Sequence, residues 1–297
     1  MRMPGFRPWW RLGREFVSLS GSSQDFVWRY RNDGYVVVRG FYSAAEIGLL
    51  AEAADQLYRE GVRHGRCFRH GNLFYNVAAA AGGEKMVRMV QWPSYHQARM
   101  NAVRLDPRFA RLLEPLIGGD LKQIINQVHW KAPGAIGDFA WHQDSRSRRP
   151  ASAYRNLGAA YVQTGLAIDP HDPDSGCLRF IPGSHLRGDL GLECPEKVLG
   201  AAMRDDVLTA AGLDPEDAVD LLLEPGDLAL WSPYLVHGSG TNRAAHRRRL
   251  YINGYVRAGD CDRGEWAFRQ GAPVPLGPEP ALVHYEALRE NMAPHYP

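Results

Sequence analysis

The 297-residue sequence has few cysteines, no long apolar run and almost no excess of charge of either sign. Its four cysteines are scattered and form no CxxC pair, so we expect free thiols in a reducing cytoplasm rather than structural zinc or disulfides. No apolar run approaches the roughly 20 residues that span a bilayer. With 35 basic and 33 acidic residues, the net charge of +2 offers no basic surplus for nucleic acid. We therefore expect neither a membrane nor a nucleic-acid partner, and the composition predicts no oligomeric state.

Before residue 121 the pattern predicts helices around one short strand. Residues 34–41, bounded by glycines, are typical of a strand. Ser43 and Glu46 have the spacing of a capping box, which opens a helix with apolar residues on one face. A second helix is predicted over 107–116. Residues 61–83 are rich in glycine, histidine and alanine without a clear period, so we predict a loop with a short helix there.

From residue 121 onward the pattern changes to short strands separated by glycine and proline turns, which is typical of a sandwich or barrel. The predicted strands are 121–130, 141–144, 159–168, 177–181, 221–224, 228–231 and 249–256. Since helices come first and strands follow, the predicted fold class is α+β, mainly β. We expect a jelly-roll core with helices packed outside it.

The chain shows no internal repeat and no linker, so we predict a single domain over 1–297. Residues 1–24 are expected to form an N-terminal arm, and 121–257 the jelly-roll core. Residues 190–219 interrupt the strands as an insertion, which is either a lid over one end of the barrel or a surface excursion. A short helix containing Val198, Leu199, Ala202 and Met203 is expected within it.

The triplet His142-Gln143-Asp144, together with the distant His237, is the strongest functional signal in the sequence. Residues i and i+2 of a strand point to the same face, so His142 and Asp144 could bind one metal ion from a single strand. His237 would complete two imidazoles and one carboxylate, a set that leaves coordination positions open for chemistry. Taken alone, a His-x-Asp triplet is common by chance. His129 and His171 are expected at the surface or in turns.

Several motifs in a fixed order carry a resemblance to a known family. They are Asp33-Gly34-Tyr35-Val36, Lys131-Ala132-Pro133-Gly134, Trp141 to Asp144, Gly176 to His185, Glu224 to Asp227 and His237 to Gly240. Over roughly residues 25–257 the sequence resembles the phytanoyl-CoA dioxygenase-like family of Fe(II)/2-oxoglutarate-dependent oxygenases. Each motif is weak by itself, and their common order and spacing make the resemblance specific.

The resemblance implies a double-stranded β-helix, of jelly-roll or cupin-like form, with Fe(II), 2-oxoglutarate and dioxygen as cofactors. His142, Asp144 and His237 are implied as the metal ligands and catalytic centre. The implied 2-oxoglutarate-binding residues are Arg248, Ser239, Lys131 and, more weakly, Gln127. Arg248 stands eleven residues after the distal histidine, and Arg247 and Arg249 are expected to point the other way on the strand.

The implied reaction is hydroxylation, or another oxidation of an unactivated C–H bond, of a small molecule such as a secondary metabolite, with release of succinate and CO2. Relatives that halogenate have a small residue in place of the carboxylate, so Asp144 favours oxygen transfer. The alternative is a cupin-like metal-dependent lyase or isomerase that uses the same triad without 2-oxoglutarate.

Two further features bear on the substrate. The basic stretch 145–150 is either a solvated loop, which we favour, or a loop that recruits an anionic or carrier-linked substrate. Gly165, in a predicted strand, either leaves room for a larger substrate or marks a bulge.

Overall fold

The structure, a computed structural model, describes residues 23–79, 83–134, 138–192, 201–278 and 291–297. Most of the predicted arm and part of the predicted insertion lie outside these residues. The helices within them are α1 (Ser23–Asp33), α2 (Ala44–His64), α3 (Ala98–Arg104), α4 (Pro107–Ile117), α5 (Leu157–Ala160) and α6 (Asp205–Ala210). The strands are β1 (Tyr35–Val38), β2 (Phe68–His70), β3 (Leu73–Ala79), β4 (Lys85–Gln91), β5 (Leu121–Lys131), β6 (Phe139–His142), β7 (Tyr161–Ala167), β8 (Leu178–Phe180), β9 (Val219–Asp220), β10 (Leu228–Trp231), β11 (His237–Ser239), β12 (Arg248–Arg257), β13 (Glu265–Arg269) and β14 (Ala272–Pro273).

The strands form two antiparallel sheets. The larger sheet has the order β1-β10-β7-β12-β5-β4-β3-β2, and β13 pairs with β5 and β14. The smaller sheet has the order β6-β11-β8-β9. Side chains of both sheets line one cavity, which is the arrangement of a double-stranded β-helix. The predicted fold class, mainly β with flanking helices, is therefore confirmed.

Strand β12 shows how the larger sheet separates core from cavity. It pairs with β5 on one side and β7 on the other, so its backbone is satisfied along its length. Tyr251 and Tyr255 pack into the apolar cluster that also contains α2 and α4 residues such as Leu50 and Phe109. Residues of the other parity, including Leu250, face the cavity. The period of two along a strand thus fixes which side chains can reach the site.

Helix α2 begins where the capping box predicts. Ser43 is the N-cap, and its hydroxyl accepts from the Glu46 backbone N–H while the Glu46 carboxylate accepts from the Ser43 N–H at 2.8 Å. Gly65 ends the helix at φ 70°, in the left-handed region that glycine tolerates without a side-chain clash. Arg108 of α4 donates to Glu46 at 2.6 Å and so joins the start of α2 to α4.

We expect Glu46→Gln to lower the free energy of unfolding at neutral pH and to make that free energy less sensitive to a fall in pH. The hydrogen bond from Arg108, followed by those from Ser43, holds the pKa of Glu46 at about 2. Because this pKa is lowered on folding, the stabilisation is present above the unfolded pKa of about 4.3 and is lost as pH falls through about 2. Urea midpoints of the two proteins should differ at neutral pH and approach each other below about pH 4. A difference that stays constant with pH would contradict this assignment.

Several sequence predictions need correction. In the described part of the stretch 61–83, residues 61–79 are not a loop with a short helix: α2 continues to His64, and β2 and β3 follow. The alternating burial of β3 is present in the sequence but is obscured by small alanines. The predicted strand 221–224 is not formed. The two-residue strand β9 lies just before it, and Leu223 within it makes an isolated bridge with His171. Residues 201–204 are not helical, because α6 begins only at Asp205.

Part of the predicted insertion can be described. Val198 and Leu199 lie outside the described residues, whereas Leu208 of α6 is buried against Trp141 and Val236 beside the smaller sheet. This contact fixes α6 on the barrel; a role as a lid stays a prediction. Cys67, Cys177 and Cys261 are free thiols, in agreement with the expectation for these three.

Candidate metal centre

A cavity of about 240 Å³ lies between the two sheets. Alternate residues of β5 and β12 form one wall of the cavity, and the short strands of the smaller sheet form the opposite wall. Its lining consists of Met89, Ile125, Gln127, His129, Phe139, His142, Asp144, Ser147, Arg148, Gln163, Leu178, Trp231, His237, Ser239, Arg248, Leu250 and Ile252. The lining thus brings the predicted triad together with two arginines, Arg148 and Arg248, in one space.

The three residues of the predicted triad come together in this cavity. His142 ends β6 and His237 begins β11, and the two are paired directly across the antiparallel ladder with ring centroids 4.1 Å apart. The strand ends at His142, one correction to the prediction, and Asp144 opens a 3-10 turn. Gln143 keeps an extended conformation, so Asp144 still faces the same side as His142. One ligand atom from each residue lies within 4.8 Å of the others.

Backbone carbonyls fix the orientation of both imidazoles. Nδ1 of His142 donates to the Ala140 carbonyl at 2.8 Å, and Nδ1 of His237 donates to the Leu235 carbonyl at 2.9 Å. A carbonyl can only accept, so each Nδ1 carries the proton and each Nε2 keeps its lone pair. This is the tautomer that a metal needs when Nε2 is the ligand.

Burial and neighbouring charges keep His142 and Asp144 in their ligating forms. Burial, followed by the charge of the neighbouring His237, lowers the pKa of His142 to about 4. Burial alone would raise the pKa of Asp144, but His237, Arg148 and His142 together hold it below its usual value. At neutral pH the site therefore offers a neutral imidazole at His142 and an ionised carboxylate at Asp144, a donor set that fits a divalent metal ion.

The indole of Trp231 supports the Asp144 carboxylate, and the missing side chain of Gly165 makes room for that indole. The indole Nε1 donates to Asp144 Oδ2 at 3.0 Å. A Cβ added at Gly165 would lie 3.0 Å from the Trp231 ring and 3.2 Å from Leu250. The space beside Gly165 is thus filled by the indole of the protein itself rather than left for substrate, and the strand pairing is regular there, so Gly165 does not mark a bulge either.

We expect Trp231→Phe to weaken metal binding and turnover by about 10- to 100-fold, because it removes a hydrogen bond that orients a metal-binding carboxylate while keeping an aromatic ring. Anaerobic titration of Fe(II) followed by dialysis would measure the affinity. Trp266→Phe, outside the cavity lining, serves as the matched control. Unchanged iron affinity in Trp231→Phe would show that the indole does not position Asp144.

A buried guanidinium lies in the same cavity. Arg248 is 3% exposed, its Nη1 donates to the Gly176 carbonyl, and its Nε has no hydrogen-bond partner. Burial lowers its pKa to about 10, so it remains a cation at neutral pH. Arg249 instead pairs with Asp169 at 2.7 Å, and Arg247 pairs with Asp55 at 3.1 Å. Of the three consecutive arginines, Arg248 alone lines the cavity, and it has donor capacity left for an anion.

The remaining predicted co-substrate residues lie nearby but not all in the lining. Ser239 and Gln127 line the cavity. Lys131 lies behind Ser239, to whose Oγ it donates at 2.7 Å, and it also donates to the Gly240 carbonyl. Burial, followed by the positive charge of Arg248, lowers the pKa of Lys131 to about 6. A contact between Lys131 and a co-substrate therefore stays a prediction, and Ser239 is the nearer group.

Two residues of the cavity lining, His129 and Arg148, were placed elsewhere by the sequence predictions. His129 was expected at the surface or in a turn, yet it lies on β5 and faces the cavity, where Gln127 holds its Nε2 at 2.8 Å. Burial lowers its pKa to about 3. Strand alternation from Gln127 would have placed it there. His171, also expected outside, is 2% exposed. Arg148, from the stretch expected to be a solvated loop, is 3% exposed.

A double-stranded β-helix that holds two histidines, a carboxylate and a buried arginine with an unpartnered Nε in one cavity is typical of a mononuclear metal-dependent oxygenase. The chain belongs to the phytanoyl-CoA dioxygenase family, whose model matches residues 30–250. The predicted family, enzyme class and cofactors, namely iron(II), 2-oxoglutarate and dioxygen, are thereby confirmed.

Known relatives agree with this membership. The dioxygenase lolE1 of Epichloe uncinata is 28% identical over 144 residues, which is 48% of this chain and about half (49%) of that protein. The 2-aminoethylphosphonate dioxygenase of uncultured bacterium HF130_AEPn_1 is 23% identical over 82% of this chain and 86% of its own length. The solved structure of the epimerase SnoN, in complex with Fe3+, alpha ketoglutarate and nogalamycin RO, superposes with a TM-score of 0.59 at 23% identity, over 86% of this chain and 93% of that chain.

In the part of the chain that the structure describes, no helix is both long and apolar enough to cross a membrane.

Proposed function

We propose that this protein is an Fe(II)/2-oxoglutarate-dependent dioxygenase that hydroxylates, or otherwise oxidises an unactivated C–H bond of, a small-molecule substrate, with release of succinate and CO2. One observation carries the proposal: three metal-ligating atoms within 4.8 Å of one another share a cavity with a buried arginine whose Nε has no partner. The first feature fits iron with open positions, and the second fits the carboxylate of 2-oxoglutarate.

The roles of the residues follow from their contacts. His142, Asp144 and His237 hold the iron, with Trp231 orienting the carboxylate. Arg248 binds the far carboxylate of 2-oxoglutarate. Iron(II) bound there with 2-oxoglutarate and dioxygen would supply an oxidant that converts a C–H bond of the substrate into C–OH.

The chain contributes orientation and the exclusion of water. Leu178, Leu250 and Ile252 line the cavity with apolar surface, so a substrate that enters displaces water from around the metal. The carboxylate of Asp144 occupies the position that must be vacated for a halide to bind, which favours oxygen transfer over halogenation.

The relatives support a small-molecule substrate. One is named for 2-aminoethylphosphonate, and one solved structure holds nogalamycin RO. We propose a small-molecule substrate, in the size range of a secondary metabolite, for this protein also.

The test is an anaerobic titration of the Fe(II) protein with 2-oxoglutarate. We expect a weak metal-to-ligand charge-transfer band in the visible region, and succinate after oxygen is admitted. Omitting Fe(II) or 2-oxoglutarate should abolish succinate formation. Absence of both the band and succinate would refute the proposal.

A second function keeps the same triad but acts as a metal-dependent isomerase or lyase. It is favoured by one observation, the similarity in fold to an epimerase. The two functions differ in the product: oxygenation adds an oxygen atom from O2, whereas epimerisation leaves the mass of the substrate unchanged. Mass spectrometry after turnover under ¹⁸O₂ distinguishes them, and turnover without 2-oxoglutarate would favour the lyase or isomerase.

A further inference from the structure

Arg148 is a second buried guanidinium in the metal cavity. It follows the 3-10 turn that Asp144 opens, and the turn brings it back into the barrel rather than out to solvent. The Ser145 N–H donates to the Pro233 carbonyl at 2.9 Å, and the Arg148 N–H donates to the Ser145 carbonyl at 3.1 Å. The side chain is 3% exposed and lines the cavity together with the metal triad.

Most of the donor capacity of Arg148 is unused. Its Nη2 donates to the Tyr161 hydroxyl at 2.8 Å and to Gln163 Oε1 at 3.2 Å. Its Nε is buried without a partner. No described residue accepts from Nη1. A buried cation with unpaired N–H groups is costly unless an acceptor arrives, so this guanidinium suits an anionic ligand.

The charge balance of the site with iron(II) and 2-oxoglutarate bound also favours an anionic ligand at Arg148. Asp144, 3.8 Å from Arg148, is its nearest carboxylate, and the metal would share that charge. With iron(II) and the 2-oxoglutarate dianion bound, their charges together with those of Asp144 and Arg248 cancel. Among the charged side chains that line the cavity, Arg148 then carries the positive charge left over in this sum, and its carboxylate partner is one that it shares with the metal.

The position of Arg148 also suits a ligand larger than the metal cavity. That cavity, at about 240 Å³, is small beside the roughly 300–1,000 Å³ typical of ligand pockets, and it must also hold 2-oxoglutarate. Arg148 lines a second cavity of about 500 Å³ as well, together with Tyr154, Asn156 and Tyr234. It therefore borders both spaces.

We propose that Arg148 binds an anionic group, a carboxylate or a phosphonate or phosphate, of the substrate. The substrate of this enzyme is then a small-molecule anion, held by Arg148 at one side of the metal while Arg248 holds 2-oxoglutarate. This assignment rests on the proposed function. A bidentate guanidinium–oxyanion contact would also fix which C–H bond faces the metal.

The experiment uses the anaerobic Fe(II)·2-oxoglutarate form of the full-length protein, titrated calorimetrically with acetate, methylphosphonate and the uncharged acetamide. We expect at least one anion to bind and acetamide not to bind. A preference for acetate or methylphosphonate distinguishes a carboxylate from a phosphorus oxyanion. In Arg148→Gln the anion affinity should fall by about 30-fold or more, as for a buried charge pair that loses one partner.

The matched control is Arg146→Gln. It removes the same charge from the same turn, but Arg146 donates to the Leu192 carbonyl and is not among the residues lining either cavity. Its anion affinity should equal that of the wild type. If Arg148→Gln fails to fold, Arg148→Lys replaces it: the charge is kept and the bidentate geometry lost, so affinity should fall by about tenfold.

The charge-transfer band separates the possible failures. A wild-type protein without the band on adding 2-oxoglutarate contradicts the proposed function. A protein that shows the band but binds neither anion, or binds them equally well after Arg148→Gln, overturns the role of Arg148 alone. Loss of the band in Arg148→Gln would also overturn it, since Arg148 would then position Asp144 rather than bind substrate. The expected result is an unchanged band with weakened anion binding.

Discussion

His237→Ala is expected to abolish succinate formation and to weaken iron binding by about 100-fold. A structural metal site contributes about 10–16 kcal/mol over four ligands, so one ligand accounts for about 3 kcal/mol. The replacement also leaves the backbone of β11 unchanged, because the ladder bonds to β6 and β8 come from main-chain groups. Iron content after anaerobic loading and gel filtration, together with succinate by mass spectrometry, measures both effects.

A suitable control is His96→Ala. This imidazole lies outside the cavity lining, paired with Glu60 at 2.8 Å on α2. It should leave iron content and succinate formation as in the wild type. Full turnover in His237→Ala would contradict the assignment of the triad, whereas loss of activity in both variants would point to damage of the fold.

Arg248→Ala should raise the dissociation constant of 2-oxoglutarate by about 30-fold to several thousand-fold and leave iron binding almost unchanged. Removing one partner of a buried, hydrogen-bonded charge pair costs about 2–5 kcal/mol. The lining also contains hydrogen-bonding groups such as Ser239 and Gln127, which cannot replace a full positive charge. The midpoint of the anaerobic charge-transfer titration gives the dissociation constant directly.

The neighbouring residue supplies the control for this second experiment. Arg247→Ala removes the same charge one position away, but Arg247 pairs with Asp55 outside the cavity. Arg248→Lys tests geometry, because it keeps the charge without the planar fork and should bind 2-oxoglutarate more weakly than the wild type. Equal losses in Arg247→Ala and Arg248→Ala would remove the reason for choosing Arg248.

The site could be predicted where one strand rule determined it. The period of two along β12 separates Arg248 from Arg247 and Arg249, and the extended Gln143 keeps His142 and Asp144 on one side. The choice of Arg248 itself came from the family resemblance, through its position eleven residues after His237.

Other parts depended on contacts that no local pattern encodes. The burial of Arg148 follows from a 3-10 turn anchored to Pro233, far along the chain, so a run of arginines suggested a solvated loop. Strands β2 and β3 extend the larger sheet by pairing outward from β5 through β4, and their short, glycine-bounded sequences carry little strand signal. The space beside Gly165 could not be assigned without knowing that Trp231 fills it.

The direct pairing of His142 and His237 across β6 and β11 makes the chemistry a reporter of strand register. A slip of one residue in this short ladder would turn His237 to the opposite face. A molecule with such a slip could still be compact, but it would be catalytically silent. Iron that binds only the correct register would shift the population toward it, so metal supply during synthesis could influence the yield of correctly folded enzyme.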